Sequence, residues 1–136
     1  MPNRTFQKDI SSHQNPADGF CIFGVYPGFE PPRFPAIPGL EGMGTVVKVG
    51  DQVSSFKRGD RVVPFMFSQT RIGNGTWQEY VVLDQEDVFV CPSNDLISQS
   101  VPDSVSDDAA AQLIVNPATV LGMLKVLNVP EVFISD

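Results

Sequence analysis

Histidine and cysteine are scarce in this sequence, which has one His and two Cys in 136 residues. A protein zinc site needs three or four Cys, His or carboxylate ligands, so a zinc centre is not expected. Cys21 and Cys91 lie far apart and form neither a CxxC motif nor a disulfide framework. A Ser-His-Asp or Cys-His system would have to use His13, which no nucleophile-elbow pattern surrounds. The sequence therefore predicts chemistry without a metal ion.

Positively charged residues are also few. Nine Lys and Arg residues oppose sixteen Asp and Glu residues, and the formal net charge is -7. An acidic surface repels phosphate groups, so nucleic acid and anionic membrane surfaces are not expected as partners. Lys57, Arg58 and Arg61 form one basic cluster, but Asp60 interrupts it and the pattern is typical of a solvated turn.

No apolar run reaches the roughly 20 residues that a membrane-spanning helix needs. Residues 1–8 form neither the apolar core of a signal peptide nor a long Arg-rich presequence, so they contain no clear targeting peptide. Two widely spaced Cys residues favour a reducing compartment. The sequence thus predicts an intracellular protein, mitochondrial or cytoplasmic, without a membrane partner.

Turn-forming residues are abundant, with twelve Pro and eleven Gly. Between them lie short stretches rich in β-branched and aromatic residues, which predict antiparallel strands. These stretches are 45–49, 53–56, 61–63, 75–83 and 87–90. Residues 68–74 separate two of these blocks and have the composition of a loop.

The periodicity changes near the C-terminal end. Ser106 is a candidate N-cap for a helix through about residue 114, because two aspartates follow it in the first turn. Asn116 and Pro117 repeat this start signal. A second helix with one apolar face is then predicted from the spacing of Val120, Met123, Leu124 and Leu127. Residues 132–134 resemble the start of a strand. Short strands followed by two helices predict a mainly β fold with added helices, a small barrel or sandwich of the α+β class.

A Gly-rich run at 38–45 could be taken for a phosphate-binding turn. A dinucleotide fingerprint opens a helix, however, whereas this run leads into a predicted strand. We therefore interpret its glycines as a tight turn and a close approach of two backbone segments.

Tyr26 lies between Gly24 and Pro27, which together with Gly28 favour a turn. A phenol is protonated near neutral pH and can donate a hydrogen bond or a proton to developing negative charge. Composition alone favours a tyrosine of the core or its rim, so a catalytic role needs further support.

Three segments in the right order resemble the medium-chain dehydrogenase/reductase superfamily: 15–18, 38–50 and 59–62. Where zinc alcohol dehydrogenases carry metal ligands, this sequence has Asn15-Pro16 and Leu40-Glu41, so it resembles the zinc-free branch. Within that branch, three further motifs resemble the mitochondrial-type enoyl-thioester reductases, with quinone-oxidoreductase-like proteins nearby. These motifs are Gly24-Val25-Tyr26-Pro27, Gly75-Thr76-Trp77 and Asn116-Pro117-Ala118-Thr119.

The resemblance implies a GroES-like, partly open β-barrel and an NADPH-dependent reduction of the C=C bond of enoyl thioesters, as in fatty acid synthesis. It implies that Tyr26 donates a proton to the substrate after hydride transfer. Thr119 and Asn116 would lie along the nicotinamide, Asn15 would form a polar wall of the substrate pocket, and Trp77 would face substrate or cofactor.

The same resemblance implies a division of the chain. Residues 1–10 are expected to be an extension in place of the first barrel strands, residues 11–130 the catalytic domain, and residues 131–136 the truncated start of a cofactor domain. With the Rossmann domain absent, NADPH binding by this chain alone should be weak or absent, and the dimer common in the superfamily is not supported. Two alternatives stay open: a quinone or alkenal reductase, and a non-catalytic module that kept the fold.

Overall fold

The computed structural model describes residues 4–31, 33–67, 71–89 and 101–128, with the backbone alone at 4–10 and 89. The strands in these ranges are β1 (Arg4–Ser12), β2 (Gly42–Val49), β3 (Arg61–Pro64), β4 (Tyr80–Asp84) and β5 (Val88–Phe89). The helices are α1 (Pro16–Ile22), α2 (Asp107–Ala111), α3 (Asn116–Val126) and a 3-10 turn (Gln85–Asp87).

The strands form one antiparallel sheet in the order β4-β1-β2-β3-β5. The outer strands β4 and β5 are not hydrogen-bonded to each other, so the sheet is partly open rather than closed. A mainly β fold with added helices is thereby confirmed for the described part of the chain, which contains no Rossmann domain.

Strand β1 corrects the prediction of an extension over residues 1–10. Arg4–Ser12 pairs with β2 along one edge and with β4 along the other, and so lies inside the sheet. The segment has few β-branched residues, which is why its composition gave no strand signal. Pairing on both sides decides its conformation, because without it β2 and β4 would each expose an unpaired edge.

The other strand predictions had mixed outcomes. Stretches 45–49 and 61–63 are confirmed within β2 and β3, and the second half of 75–83 is confirmed as β4. Of the stretch 87–90, residues 88 and 89 form β5, whereas Asp87 belongs to the 3-10 turn before it. A strand at 53–56 is wrong, because turns connect β2 to β3 and Phe56 inserts into the core instead. Residue 90, the strand at 132–134 and the domain start at 131–136 lie outside the described residues.

Both faces of the sheet are covered by apolar side chains. Neighbouring residues Val62 and Val63 of β3 belong to different buried clusters, as the alternation of side chains along a strand requires. One cluster consists of Val46, Phe56, Val62, Met66, Val81, Leu83 and Val88. The other includes Met43, Val63 and Val101 together with Ala110, Ala111 and Ile114, so helix α2 and the turn after it cover that face.

Helix α2 begins as predicted. The Ser106 hydroxyl accepts a hydrogen bond from the Ala109 backbone N–H at 3.2 Å. The helix ends at Ala111, three residues earlier than expected, and its C-cap is Gln112.

We predict that Ser106→Ala lowers the free energy of unfolding by about 1 kcal/mol, because the Ala109 N–H loses its capping acceptor. Urea denaturation followed by circular dichroism measures the change. Ser104→Ala, at an exposed turn position two residues earlier, serves as the control and should change the free energy by less than about 0.5 kcal/mol. Equal effects of the two substitutions would contradict the capping role.

Helix α3 forms where the Asn116-Pro117 signal predicts it, with Pro117 in the first turn. Its N-cap is Val115 rather than Asn116, so the helix starts one residue earlier than the signal indicates. None of its residues is buried, and Leu127 is 72% exposed. The helix itself is confirmed, but its apolar residues are not confined to one face, since Leu121 and Val126 lie outside the predicted set and are also exposed.

Candidate active site

Helix α1, which the sequence patterns did not predict, supports one side of the site. The Asp18 carboxylate begins it by accepting from the Asn15 N–H at 2.7 Å and from the Leu40 N–H at 2.9 Å. Gly24, with a φ of 68°, ends it in a left-handed conformation. The Val25 N–H then bonds to the Phe20 carbonyl at 3.0 Å, which completes a Schellman motif. The chain is thereby turned sharply just before Tyr26.

Tyr26 opens the turn that the flanking residues predict. The Phe29 N–H donates to the Tyr26 carbonyl at 3.2 Å, and Gly28 has a φ of 78°. Pro27 followed by a left-handed Gly28 is the sequence of a type II turn. The turn brings the rings of Tyr26 and Phe29 into edge contact, with their centroids 5.1 Å apart.

A cavity of about 350 Å³, the site cavity, lies between α1, the Tyr26 turn and the start of α3. Tyr26 and Thr119 both line it, and the remaining walls are apolar. Tyr26 is half-buried, and its hydroxyl makes no hydrogen bond with the described residues. The phenol is therefore available to a molecule in the cavity. The apolar walls are formed by Ala17, Phe65, Phe67, Ile114, Val115 and Ala118.

The Thr119 hydroxyl has a fixed direction. Its Oγ1 donates to the Val115 carbonyl at 2.5 Å, one turn back along the helix. Because the hydroxyl hydrogen is used in this bond, the oxygen can serve a molecule in the cavity only as a hydrogen-bond acceptor. The site thus combines one phenol donor with one hydroxyl acceptor.

Three other predicted site residues do not line the site cavity. Asn15 is buried, and its amide oxygen accepts from the Asn116 side chain at 3.4 Å. Both asparagines thus form a layer behind the cavity wall. Trp77 is half-buried beside Gly39, and its backbone N–H donates to the Pro38 carbonyl at 3.1 Å. Of the five predicted site residues, the structure brings Tyr26 and Thr119 together in the cavity.

Glu41 is a site-supporting residue whose role the sequence did not reveal. It is buried, and its carboxyl group accepts from the Asn15 side chain at 2.7 Å and from the Val115 N–H at 2.9 Å. Its backbone carbonyl accepts from the Thr76 hydroxyl at 2.8 Å. One side chain thereby connects the start of α1 to the start of α3, and its partner Val115 lies 74 residues after Glu41 in the sequence. No local motif signals such a long-range contact.

The glycine run before β2 is confirmed as a tight turn with a close backbone approach. Gly39 has a φ of 108°, and a Cβ there would lie 2.4 Å from the Thr76 hydroxyl oxygen. The Thr76 N–H donates to the Gly39 carbonyl at 3.0 Å. The run leads into a strand, so it lacks the helix that a phosphate-binding turn requires.

No three His, Cys, Asp or Glu side chains in the described ranges are grouped so that they could hold a metal ion. No helix in the described part of the chain has the length and hydropathy to cross a bilayer.

Comparison with known proteins identifies the family of this chain. Residues 10–93, more than half of the chain, match the alcohol dehydrogenase GroES-like domain. The chain belongs to this family. The GroES-like match and the relatives below also support the resemblance to the medium-chain dehydrogenase/reductase superfamily.

Three relatives of this GroES-like chain are informative. The mitochondrial enoyl-[acyl-carrier-protein] reductase of Caenorhabditis elegans is 40% identical over 116 residues, which cover 85% of this chain and 29% of the relative. A solved NADPH:quinone reductase from Bacillus thuringiensis, named as putative, has a TM-score of 0.71 and 34% identity, over 91% of this chain and 32% of the other.

The third relative is Etr1p, a 2-enoyl thioester reductase subunit from Candida tropicalis, solved in complex with NADP and crotonyl-CoA. It has a TM-score of 0.70 and 29% identity, over 91% of this chain and 35% of the other. The GroES-like chain therefore spans less than a third of the curated relative and about a third of the two solved ones.

Proposed function

We propose that this chain is the substrate-side domain of an NADPH-dependent oxidoreductase that reduces the C=C bond of enoyl thioesters. The observation that carries the proposal is the site cavity, in which Tyr26 and Thr119 line one largely apolar space. Similarity to enoyl reductases over most of the chain supports the same substrate class.

The chemistry assigned to the chain is proton donation. As a hydride adds to the β-carbon of the double bond, negative charge develops on the α-carbon and the thioester oxygen. Tyr26, half-buried and without another partner among the described residues, donates its hydroxyl proton to the α-carbon. The walls around Tyr26 are largely apolar, so few other polar groups compete with its hydrogen bond to the developing charge.

The described residues fit one end of the cofactor. The acceptor oxygen of Thr119 suits the amide group of a nicotinamide, and the small Ala118 beside it leaves room for a flat ring. The Gly-rich run before β2 offers no phosphate cradle, so the rest of NADPH needs a site elsewhere. When bound, NADPH supplies the hydride.

We also propose that the protein is located in mitochondria, because its enoyl reductase relatives are named as mitochondrial.

A quinone reductase is the second candidate function. It is favoured by the similarity to the NADPH:quinone reductase from Bacillus thuringiensis, at 34% identity. A flat quinone also suits the aromatic walls of the site cavity, and it requires no proton donor directed at a carbon atom.

A chimera tests the two functions. This chain replaces the matching 116-residue segment of the Caenorhabditis elegans enoyl reductase, and kcat/KM is measured with crotonyl-CoA and with 1,4-benzoquinone. We expect kcat/KM of the chimera to be at least about tenfold higher for crotonyl-CoA than for the quinone, because Tyr26 provides a proton for the α-carbon. A higher kcat/KM for the quinone would establish the second function instead. A folded chimera without either activity, beside an active parent reductase, would favour a non-catalytic module.

A further inference from the structure

A second cavity, the distal cavity, lies on the other side of the Tyr26 turn and measures about 320 Å³. Its volume is within the range of cavities that hold small molecules. Among the described residues, no charged side chain lines it, and its walls include Cys21, Ile22, Phe34, Ile37 and Ile72. Burial, and to a lesser degree the charge of Asp18, raise the pKa of the Cys21 thiol, so this wall is uncharged near neutral pH.

One aromatic ring of the distal cavity touches two rings of the site cavity. Phe29 lines the distal cavity, while Tyr26 and Phe67 line the site cavity. The Phe29 ring contacts both of them edge-on, with centroid distances of 5.1 Å to Tyr26 and 5.7 Å to Phe67. Phe29 is therefore in direct contact with two rings of the site cavity, and a rotation of its side chain would open the distal cavity toward them.

The far wall of the distal cavity is held in place by hydrogen bonds. The Ile37 N–H donates to the Gly73 carbonyl at 2.9 Å, and the Gly75 N–H donates to the Ile37 carbonyl at 2.8 Å. The adjacent Arg71 is buried and bonds to Asp87, Asp84 and the Val82 carbonyl. This wall of the distal cavity is thus held by the protein's own hydrogen bonds.

We propose that the distal cavity receives the end of an acyl chain that is too long for the site cavity, and that Phe29 controls access to it. This inference rests on the proposed function, since it extends the same substrate. The distal cavity suits a saturated alkyl end because its lining side chains are uncharged and largely apolar. Each methylene that enters it should tighten binding about fourfold.

The full 136-residue chain with Cys91→Ser is suitable for the test, because Cys21 is then its single thiol. The probes are 2-oxoalkyl thioethers of pantetheine with 4-carbon and 10-carbon chains, which keep a carbonyl and cannot acylate a thiol. Amide NMR shifts at Thr119 report the site cavity, and those at Gly73 report the distal cavity. The rate of Cys21 alkylation by iodoacetamide at pH 8.5 gives a second measure of distal occupancy.

We expect both probes to shift Thr119, and the 10-carbon probe alone to shift Gly73 and slow Cys21 alkylation. Phe29→Ala should raise the affinity ratio of the long to the short probe, and Phe29→Trp should bring it close to 1. Phe23→Ala is the matched control, because Phe23 is 79% exposed and lines neither cavity.

The outcomes separate the two proposals. If both probes shift Thr119 with equal affinity and leave Gly73 unchanged, the distal cavity does not receive the acyl chain, while the proposed function stands. If the long probe shifts Gly73 but not Thr119, the two cavities bind independently and the inference is wrong. If neither probe shifts Thr119, the proposed function itself is contradicted.

Discussion

Replacing Tyr26 with Phe in the chimera is expected to lower kcat for crotonyl-CoA by about 10²- to 10⁴-fold, the usual contribution of a positioned proton donor. The ring stays, and so does its edge contact with Phe29, so the cavity keeps its shape. Only the hydroxyl that faces the cavity is lost. Because that hydroxyl acts on the developing charge rather than on the bound substrate, KM should change by less than about threefold.

Tyr80 provides the matched control for this experiment. It is the only other tyrosine of the chain, begins β4, is 53% exposed and does not line the site cavity. Tyr80→Phe removes an identical atom and should leave kcat within about twofold of the parent. If Tyr26→Phe behaved like Tyr80→Phe, the proton would come from another donor and the assigned role of Tyr26 would be wrong.

The parts of the site that the sequence predicts are those built by local backbone rules. Gly24, Pro27 and Gly28 predict the turn around Tyr26 because their φ preferences leave the chain little choice. Ser106 predicts the start of α2 for a similar reason. Helix α1 could also have been predicted, because Asn15-Pro16 is the same start signal as Asn116-Pro117 of α3, and Asp18 adds an acidic residue to the first turn.

The parts that the sequence does not predict depend on contacts between distant residues. Strand β1 is formed by pairing with β2 and β4, some 40 and 75 residues further along the chain. The carboxyl group of Glu41 reaches Asn15 and Val115 only after the sheet has formed. Such contacts have no period or spacing in the sequence, so composition and patterning cannot reveal them.

Helix α3 shows a further limit of sequence patterns, because a helix can be predicted without its burial being predicted. Spacing at i, i+3, i+4 and i+7 predicts the helix, and the helix forms. Val120, Met123 and Leu127 nevertheless stay more than half exposed. A periodic pattern therefore predicts that a helix forms, but it does not say whether or by what its apolar side chains are covered.

Gly75→Ala is expected to have the largest effect on stability of any change considered for this chain. A Cβ at residue 75 would lie 2.2 Å from the carbonyl oxygen of Pro38 and 2.5 Å from that of Gly39. Both obstacles are backbone atoms of the turn that leads to Glu41, so no side-chain rotation can relieve the clash. We expect a loss of at least about 4 kcal/mol, a large share of the stability of a small domain.

Gly19→Ala is the control for this substitution, because Gly19 lies within α1 and has no neighbouring atom within 4 Å of an added Cβ. It should stabilise the chain by about 0.5–1 kcal/mol, since alanine favours a helix over glycine. Urea denaturation measures both variants. An unfolding free energy for Gly75→Ala within about 1 kcal/mol of the parent would mean that the Pro38 turn can move. The close approach that anchors Glu41, and through it the start of α3, would then not be a fixed support of the site.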